Sequence, residues 1–357
     1  MSTSSSYQPQ WSLLLQAKAF RTAASLGIGT QNYLSSKGSF ESRVEWIDSI
    51  LGIKQAKNAI RLDIYNKPSS TSTSSTDRPN ARACEGASDL RPGLIIFHGG
   101  GFVIGSGSDD ILFAQQSIDQ LGAVAIGVSY RLAPEHPFPI PVEDCVSAII
   151  HTYNHAEKYG IDKDKLIVAG FSAGGNLALS SHHVLSQLCT TRTTAAAATT
   201  ASENGYVIPD GMEIPKIKGL ILIYPSLDWT ISREEKTSNL CDPNHALPQS
   251  MTRLFDLSYF PKELGYDRAD YRLSPGIAPD ELVEKLPPVC MTVCEYDMLR
   301  AEGMDFVDRL QKMGKDVDWN EIKGEKHGWD KPPPLYPKDS VGREYKRIFE
   351  VAKKWLE

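Results

Sequence analysis

Cysteine is sparse, basic residues are outnumbered and no apolar stretch is long, and each shortage removes a class of function. Six cysteines (Cys84, Cys145, Cys189, Cys241, Cys290 and Cys294) are scattered through 357 residues. They show no framework spacing, as expected of reduced thiols rather than a disulfide-stapled secreted domain. There is no Asn-x-Ser/Thr sequon. Lys and Arg number 38 against 44 Asp and Glu, a net charge of −6. With no excess of cations to displace counterions from phosphates, nucleic acid is not expected as a partner. The apolar runs Leu94–Phe97, Ala123–Val128 and Leu220–Tyr224 fall far short of the ~18 residues that cross a bilayer. The opening MSTSSSYQPQ has no positive region leading into an apolar stretch, and Lys18 and Arg21 interrupt the segment after it. No secretory leader is expected, and the expected location is the cytoplasm. What remains is ordinary globular composition, 41% hydrophobic and 23% charged, which excludes disordered and fibrous chains.

Within that composition, strand and helix patterns alternate. Ile60, Leu62 and Ile64 alternate with polar partners like a half-buried outer strand. Short continuous apolar runs follow at 94–97, 123–128, 166–169, 220–223 and 289–293, the pattern of strands buried on both faces of a parallel sheet. Helical segments are expected around Asp110–Leu121, Val142–Tyr159, Ala173–Leu188, Glu302–Met313 and Arg343–Trp355. The expected fold is α/β, a mainly parallel central sheet flanked by helices. Residues 1–44 read as helices before the first strand, and 229–282 as a largely helical insertion containing a helix over Gln249–Phe260. Together they are expected to form a cap over a catalytic body at 45–357, at the carboxyl edge of the sheet. The serine-, threonine- and alanine-rich stretches at 68–80 and 189–206 are expected to be flexible surface insertions.

The chemistry concentrates at two glycine-rich turns. Gly170-Phe171-Ser172-Ala173-Gly174-Gly175 follows an apparent strand and opens a helix. Glycines at −2 and +2 let such a turn close and present the serine at a helix N-terminus. His98-Gly99-Gly100-Gly101 also follows a strand; its backbone N–H groups, with that of Ala173, can face a developing oxyanion. A serine needs a base, itself oriented by a carboxylate. Of eight histidines, His327 lies in a loop after the strand Val317–Ile322. His98 belongs to the glycine loop, His136 lies among prolines, His151, His155, His182 and His183 fall in helices, and His245 lies in the insertion. Asp297, at the end of the strand Val289–Cys294, is the expected acid, with Glu295 and Asp228 as competitors. The chain order Ser, Asp, His suits a nucleophile-elbow enzyme. No metal site is expected, because His182 and His183 are adjacent on a helix and diverge. No cofactor is expected either.

These residues resemble the hormone-sensitive-lipase-like branch of α/β-hydrolase esterases. The likeness rests on His98-Gly99-Gly100-Gly101, on Tyr130-Arg131-Leu132-Ala133-Pro134-Glu135-His136-Pro137-Phe138-Pro139, on Ser172-Ala173-Gly174-Gly175-Asn176, on Asp297 with Leu299-Arg300, and on His327-Gly328. The resemblance implies an α/β-hydrolase fold with a helical cap. It implies Ser172, Asp297 and His327 as catalytic residues, and Gly100, Gly101 and Ala173 as the oxyanion hole. Phe171 stands where the family usually has an acid, Ala301 replaces another, Trp329 stands where Phe is common, and Lys331-Pro332-Pro333-Pro334 is expected to reshape a pocket wall. The low-complexity insertions are in keeping with a fungal member acting in secondary metabolism. The expected activity is hydrolysis of a small-molecule ester with a short-acyl or small aromatic part. An acyl transferase, lyase or cyclase using the same triad is the alternative, and a receptor on the same fold a minor one. Homodimerisation through an edge strand or the last helix is left open. The lid aromatics Trp229, Phe255, Tyr259 and Phe260 are candidates to line the pocket or to pack the lid.

Overall fold

The computed structural model describes residues 8–35, 40–52, 54–68, 90–194, 206–240 and 242–357. Its frame is one eight-stranded sheet: β1 (Glu41–Ser49), β2 (Ala56–Asn66), β3 (Arg91–Phe97), β4 (Val124–Ser129), β5 (Ile161–Phe171), β6 (Gly219–Ile223), β7 (Val289–Tyr296) and β8 (Val317–Lys326). The order is β1-β2-β4-β3-β5-β6-β7-β8. β2 runs antiparallel to β1 and β4, and every other pairing is parallel. The helices are α1 (Trp11–Ser35), α2 (Ile111–Leu121), α3 (Ile140–Asn154), α4 (Ala156–Tyr159), α5 (Ala173–Thr194), α6 (Arg233–Ser238), α7 (Gln249–Tyr259), α8 (Asp280–Val283), α9 (Arg300–Lys312) and α10 (Asp339–Lys354). β3 to β6 are apolar at nearly every central position and bury both faces, one against α3 and α5 and the other against α2 and α10.

The structure departs from the sequence expectations at three stretches. β1 begins at Glu41, inside the stretch read as helix up to residue 44. It is an edge strand, mostly exposed, with only Ile47 and Ser49 buried, so it lacks the apolar run that marks an inner strand. The single helix expected over 142–159 breaks at His155, whose N–H closes onto His151 O before α4 begins. α5 continues through Thr194, past the expected end at Leu188, and Tyr206 is buried against Arg272 and Glu143. The stretch 189–206 is therefore part helix and part core contact where it is described. The remainder of that insertion, most of the 68–80 insertion, Cys84 and Cys241 lie outside the described residues. No described helix is long and apolar enough to cross a membrane.

Candidate active site

Three loops at the carboxyl ends of β5, β7 and β8 converge. Ser172 follows β5 with φ of +53°, a conformation few non-glycine residues adopt. It holds there because its own N–H donates to Ile223 O (2.9 Å) and its carbonyl accepts from Asn176 N–H and Ser226 N–H. The flanking glycines are sterically required. A Cβ on Gly170 would lie 2.0 Å from Gly174 O, and one on Gly174 would lie 2.0 Å from Phe97 O. Asn176 donates through Nδ2 to Ser226 O and Leu273 O, both at 2.8 Å, and so ties the turn to the inserted segment.

Ser172 Oγ lies 2.8 Å from His327 Nε2, and His327 Nδ1 lies 2.7 Å from Asp297 Oδ2. The second carboxylate oxygen of Asp297 accepts Leu299 N–H at 2.9 Å, so the buried acid is held from both sides. The competing acids are elsewhere: Glu295 accepts Gly324 N–H, and Asp228 accepts Thr230 N–H. Three of the other histidines are engaged elsewhere. His98 stacks on Tyr130, with centroids 4.2 Å apart, and its Nδ1 lies 2.7 Å from Gly99 O; burial keeps it below the usual imidazole range. His183 contacts Pro275 O, and His245 stacks on Tyr296.

The glycine loop faces the same space. Gly100 has φ of +109° and Gly101 of +58°. A Cβ on Gly100 would come within 2.3 Å of Ile104 O, and one on Gly101 within 2.1 Å of Phe255, so the loop leaves room for nothing larger. Among the described residues no hydrogen bond engages the N–H of Gly100 or Gly101, and Ala173 N–H sits in the unbonded first turn of α5.

A cavity of about 540 Å³ opens onto Gly99, Gly100, Gly101, Ser172, Ala173 and His327. Its roof comes from α1, through Phe20, Ala24 and Ile28, and from α7, through Met251 and Phe255. Lys331, Pro332 and Pro333 form another wall. Of the lid aromatics, Trp229 and Phe255 line the cavity. Tyr259 instead stacks on Phe102 (3.6 Å between centroids), and Phe260 meets Phe138. Trp329 turns into the core and packs edge-on against Tyr224.

One feature escaped the sequence reading. The segment after His327 is anchored by a buried charge cluster. Asp330 accepts Tyr224 Oη (2.5 Å), Tyr345 Oη (2.7 Å) and Lys331 Nζ (2.8 Å), and Lys331 also pairs with Asp110. Burial pushes Asp330 upward, but Lys331 and the two phenols outweigh it and hold the carboxyl low. Asp110, more weakly compensated, is pushed by burial up to about 6. Tyr224 packs its ring on the imidazole of His327, 4.8 Å between centroids. Lys331 Nζ lies 4.2 Å from the centroid of Phe171, the residue before the serine. An aromatic at 171 therefore supplies a π face to an ammonium. Only the tertiary fold brings 110, 171, 224, 330, 331 and 345 together.

A family model described as alpha/beta hydrolase fold matches residues 94–331. Arylacetamide deacetylase of Bos taurus is 30% identical over 275 residues, 67% of this chain and 68% of its own. Esterase LipI of Mycobacterium tuberculosis is 29% identical over 238 residues, 67% and 65% of the two chains. Across eight of the curated relatives it matches, this chain spans 58–68% of their length. Among solved structures, a hyperthermophilic esterase from the archaeon Pyrobaculum calidifontis superposes with a TM-score of 0.68 at 26% identity, covering 96% of this chain and 93% of that one.

Proposed function

The chain belongs to the alpha/beta hydrolase fold family, its named relatives are esterases and deacetylases, and on that premise we propose that it is a serine-dependent carboxylic-ester hydrolase. The observation that carries the reading is the unbroken relay from Ser172 Oγ through His327 to Asp297, at 2.8 and 2.7 Å, beside unengaged backbone N–H groups. In this reading Ser172 Oγ attacks the ester carbonyl as its proton passes to His327 Nε2. Asp297 holds the Nδ1–H tautomer and stabilises the imidazolium. The N–H groups of Gly100, Gly101 and Ala173 take the negative charge that develops on the carbonyl oxygen, a contribution of about 100–1000-fold per donor. His327 then gives the proton to the departing alcohol. Water, deprotonated by the same imidazole, releases the acid and restores Ser172.

The cavity lining supports a reading of the substrate class. Apart from His327, Tyr224, Asp109, Arg233 and Lys331, the walls are apolar or small. Arg233 is paired with Asp256, and Lys331 with Asp110 and Asp330. Esters of small aromatic or short aliphatic acids match such walls, since the cavity gains most from apolar area removed from water. The test is a purified Ser172→Ala variant assayed on a graded series of p-nitrophenyl esters, with phosphonate labelling of the wild type. Turnover should vanish in the variant and the label should sit on Ser172; substantial residual turnover overturns the reading.

A further inference from the structure

Three consecutive residues of the glycine loop hold left-handed backbone: Gly100, Gly101 and Phe102, the last with φ of +64°. Phe102 carries a side chain, so its conformation is strained and persists only where the surroundings over-determine it. Part of that constraint is local. Val103 N–H and Ile104 N–H both close onto Gly100 O at 3.0 Å, and Ala133 N–H donates to Phe102 O at 2.9 Å. The rest arrives from outside the sheet. Arg21, on α1, donates through Nε to Val103 O and through Nη2 to Ala133 O, both at 2.7 Å. The same guanidinium is gripped from behind by Glu135, at 2.8 and 3.0 Å. It thus fastens the carbonyl just after Phe102 together with that of the residue bonded to Phe102. Among the described residues no other charged side chain bonds the backbone of 99–103. On the same helix, Phe20, Ala24 and Ile28 roof the cavity.

We infer that Arg21 is a positioning residue: it fixes the strained loop so that the N–H groups of Gly100 and Gly101 point at the developing oxyanion, and it links the seating of the cap helix to the chemical step. The inference rests on the acyl-serine reading above. It differs from simple pinning of a surface helix, which would change stability and substrate affinity but not the turnover of bound substrate. The rigid guanidinium fork is required, because a lysine ammonium cannot span both carbonyls and the carboxylate in one plane.

The experiment uses the full chain with Arg21→Ala, Arg21→Lys and Ser172→Ala, assayed on p-nitrophenyl butyrate. Loop misplacement should lower kcat of R21A by roughly 10–100-fold, with KM little changed. R21K should recover only part of the loss. Millimolar guanidinium should raise R21A activity and leave the wild type unmoved. A trifluoromethyl ketone reports the oxyanion directly: Ser172 Oγ bonds its carbonyl carbon, the hydroxyl proton goes to His327, and the carbonyl oxygen becomes the anion. Its affinity should fall in R21A in step with kcat/KM, while the corresponding alcohol, which forms no adduct, binds as before. Wild-type kcat in R21A, or a lowered kcat with neither guanidinium rescue nor weakened ketone binding, overturns the inference. If R21A does not fold, the ketone affinity of R21K decides in the same way. Activity surviving in Ser172→Ala overturns the acyl-serine reading itself, whereas an inactive S172A beside an unimpaired R21A removes only the role of Arg21.

Discussion

Replacing Asp297 with asparagine keeps the shape of the site and changes one hydrogen-bonding edge. The wild-type carboxylate accepts on both oxygens, from His327 Nδ1–H and from Leu299 N–H. Asparagine can satisfy only one of them through its carbonyl. If the amide oxygen stays on Leu299 N–H, its NH2 faces Nδ1 and forces the proton onto Nε2, where the imidazole can no longer accept from Ser172. If the amide flips, NH2 opposes the backbone N–H, and a buried donor left unmet costs about 1–3 kcal/mol. The productive orientation is therefore the minor one, and the imidazolium also loses its counter-charge. Both effects together are worth about 10⁴-fold in kcat where such a pair has been broken in this way, or ~5.4 kcal/mol of barrier. The assay is kcat/KM for a p-nitrophenyl ester from pH 5 to 10, with thermal unfolding alongside. The expected outcome is a loss near that magnitude at neutral pH with Tm almost unchanged. Retention of more than a tenth of wild-type turnover would refute the assignment of Asp297.

Further outcomes follow from other features. Gly101→Ala should lose at least 100-fold in activity, of the order of one oxyanion donor, because its Cβ would collide with Phe255; steady-state kinetics of the soluble variant check this. Lys331→Met leaves the buried carboxylates of Asp110 and Asp330 without their cation. It should cost about 3–5 kcal/mol, the usual penalty for breaking a buried pair, read as a lower urea midpoint. Burial pushes Glu143 up to about 7, with Asp144 adding to the rise and the Tyr206 hydrogen bond opposing it. The folded state therefore binds more protons than the unfolded state between the ordinary carboxyl range and pH 7, and stability falls as pH rises through that window. Glu143→Gln removes the loss, so its Tm advantage over wild type should grow from pH 5 to pH 8. Ala24→Phe fills part of the roof and should lower kcat/KM for octanoate esters more than for acetate esters, measured across one ester series.

Much of this arrangement was legible in the chain. The inner strands announce themselves because both faces are buried, and the serine turn because glycines must flank it. The first four residues of the edge strand β1 fall in the stretch that reads as helix, because one exposed ribbon carries no apolar run. The positions of Ser172, Asp297 and His327 follow from local rules about strand ends. The clamp of Arg21 and the cluster of Asp110, Asp330 and Lys331 do not, since each joins residues more than 80 positions apart and neither has a spacing to betray it. The same holds for the roof: a helix pattern marks α1 and α7 but does not say which of their small residues look down on Ser172.

Beyond the strand ends and the glycine loop, the cavity walls come largely from three stretches of chain that contribute no strand to the sheet: α1, the insertion bearing α7, and the proline run after His327. Selection can therefore redraw the shape of the chamber while the strand ends stay as they are. Diversification in this lineage should accumulate in those three segments, with one exception. A change at the arginine of the first helix alters tempo as well as taste.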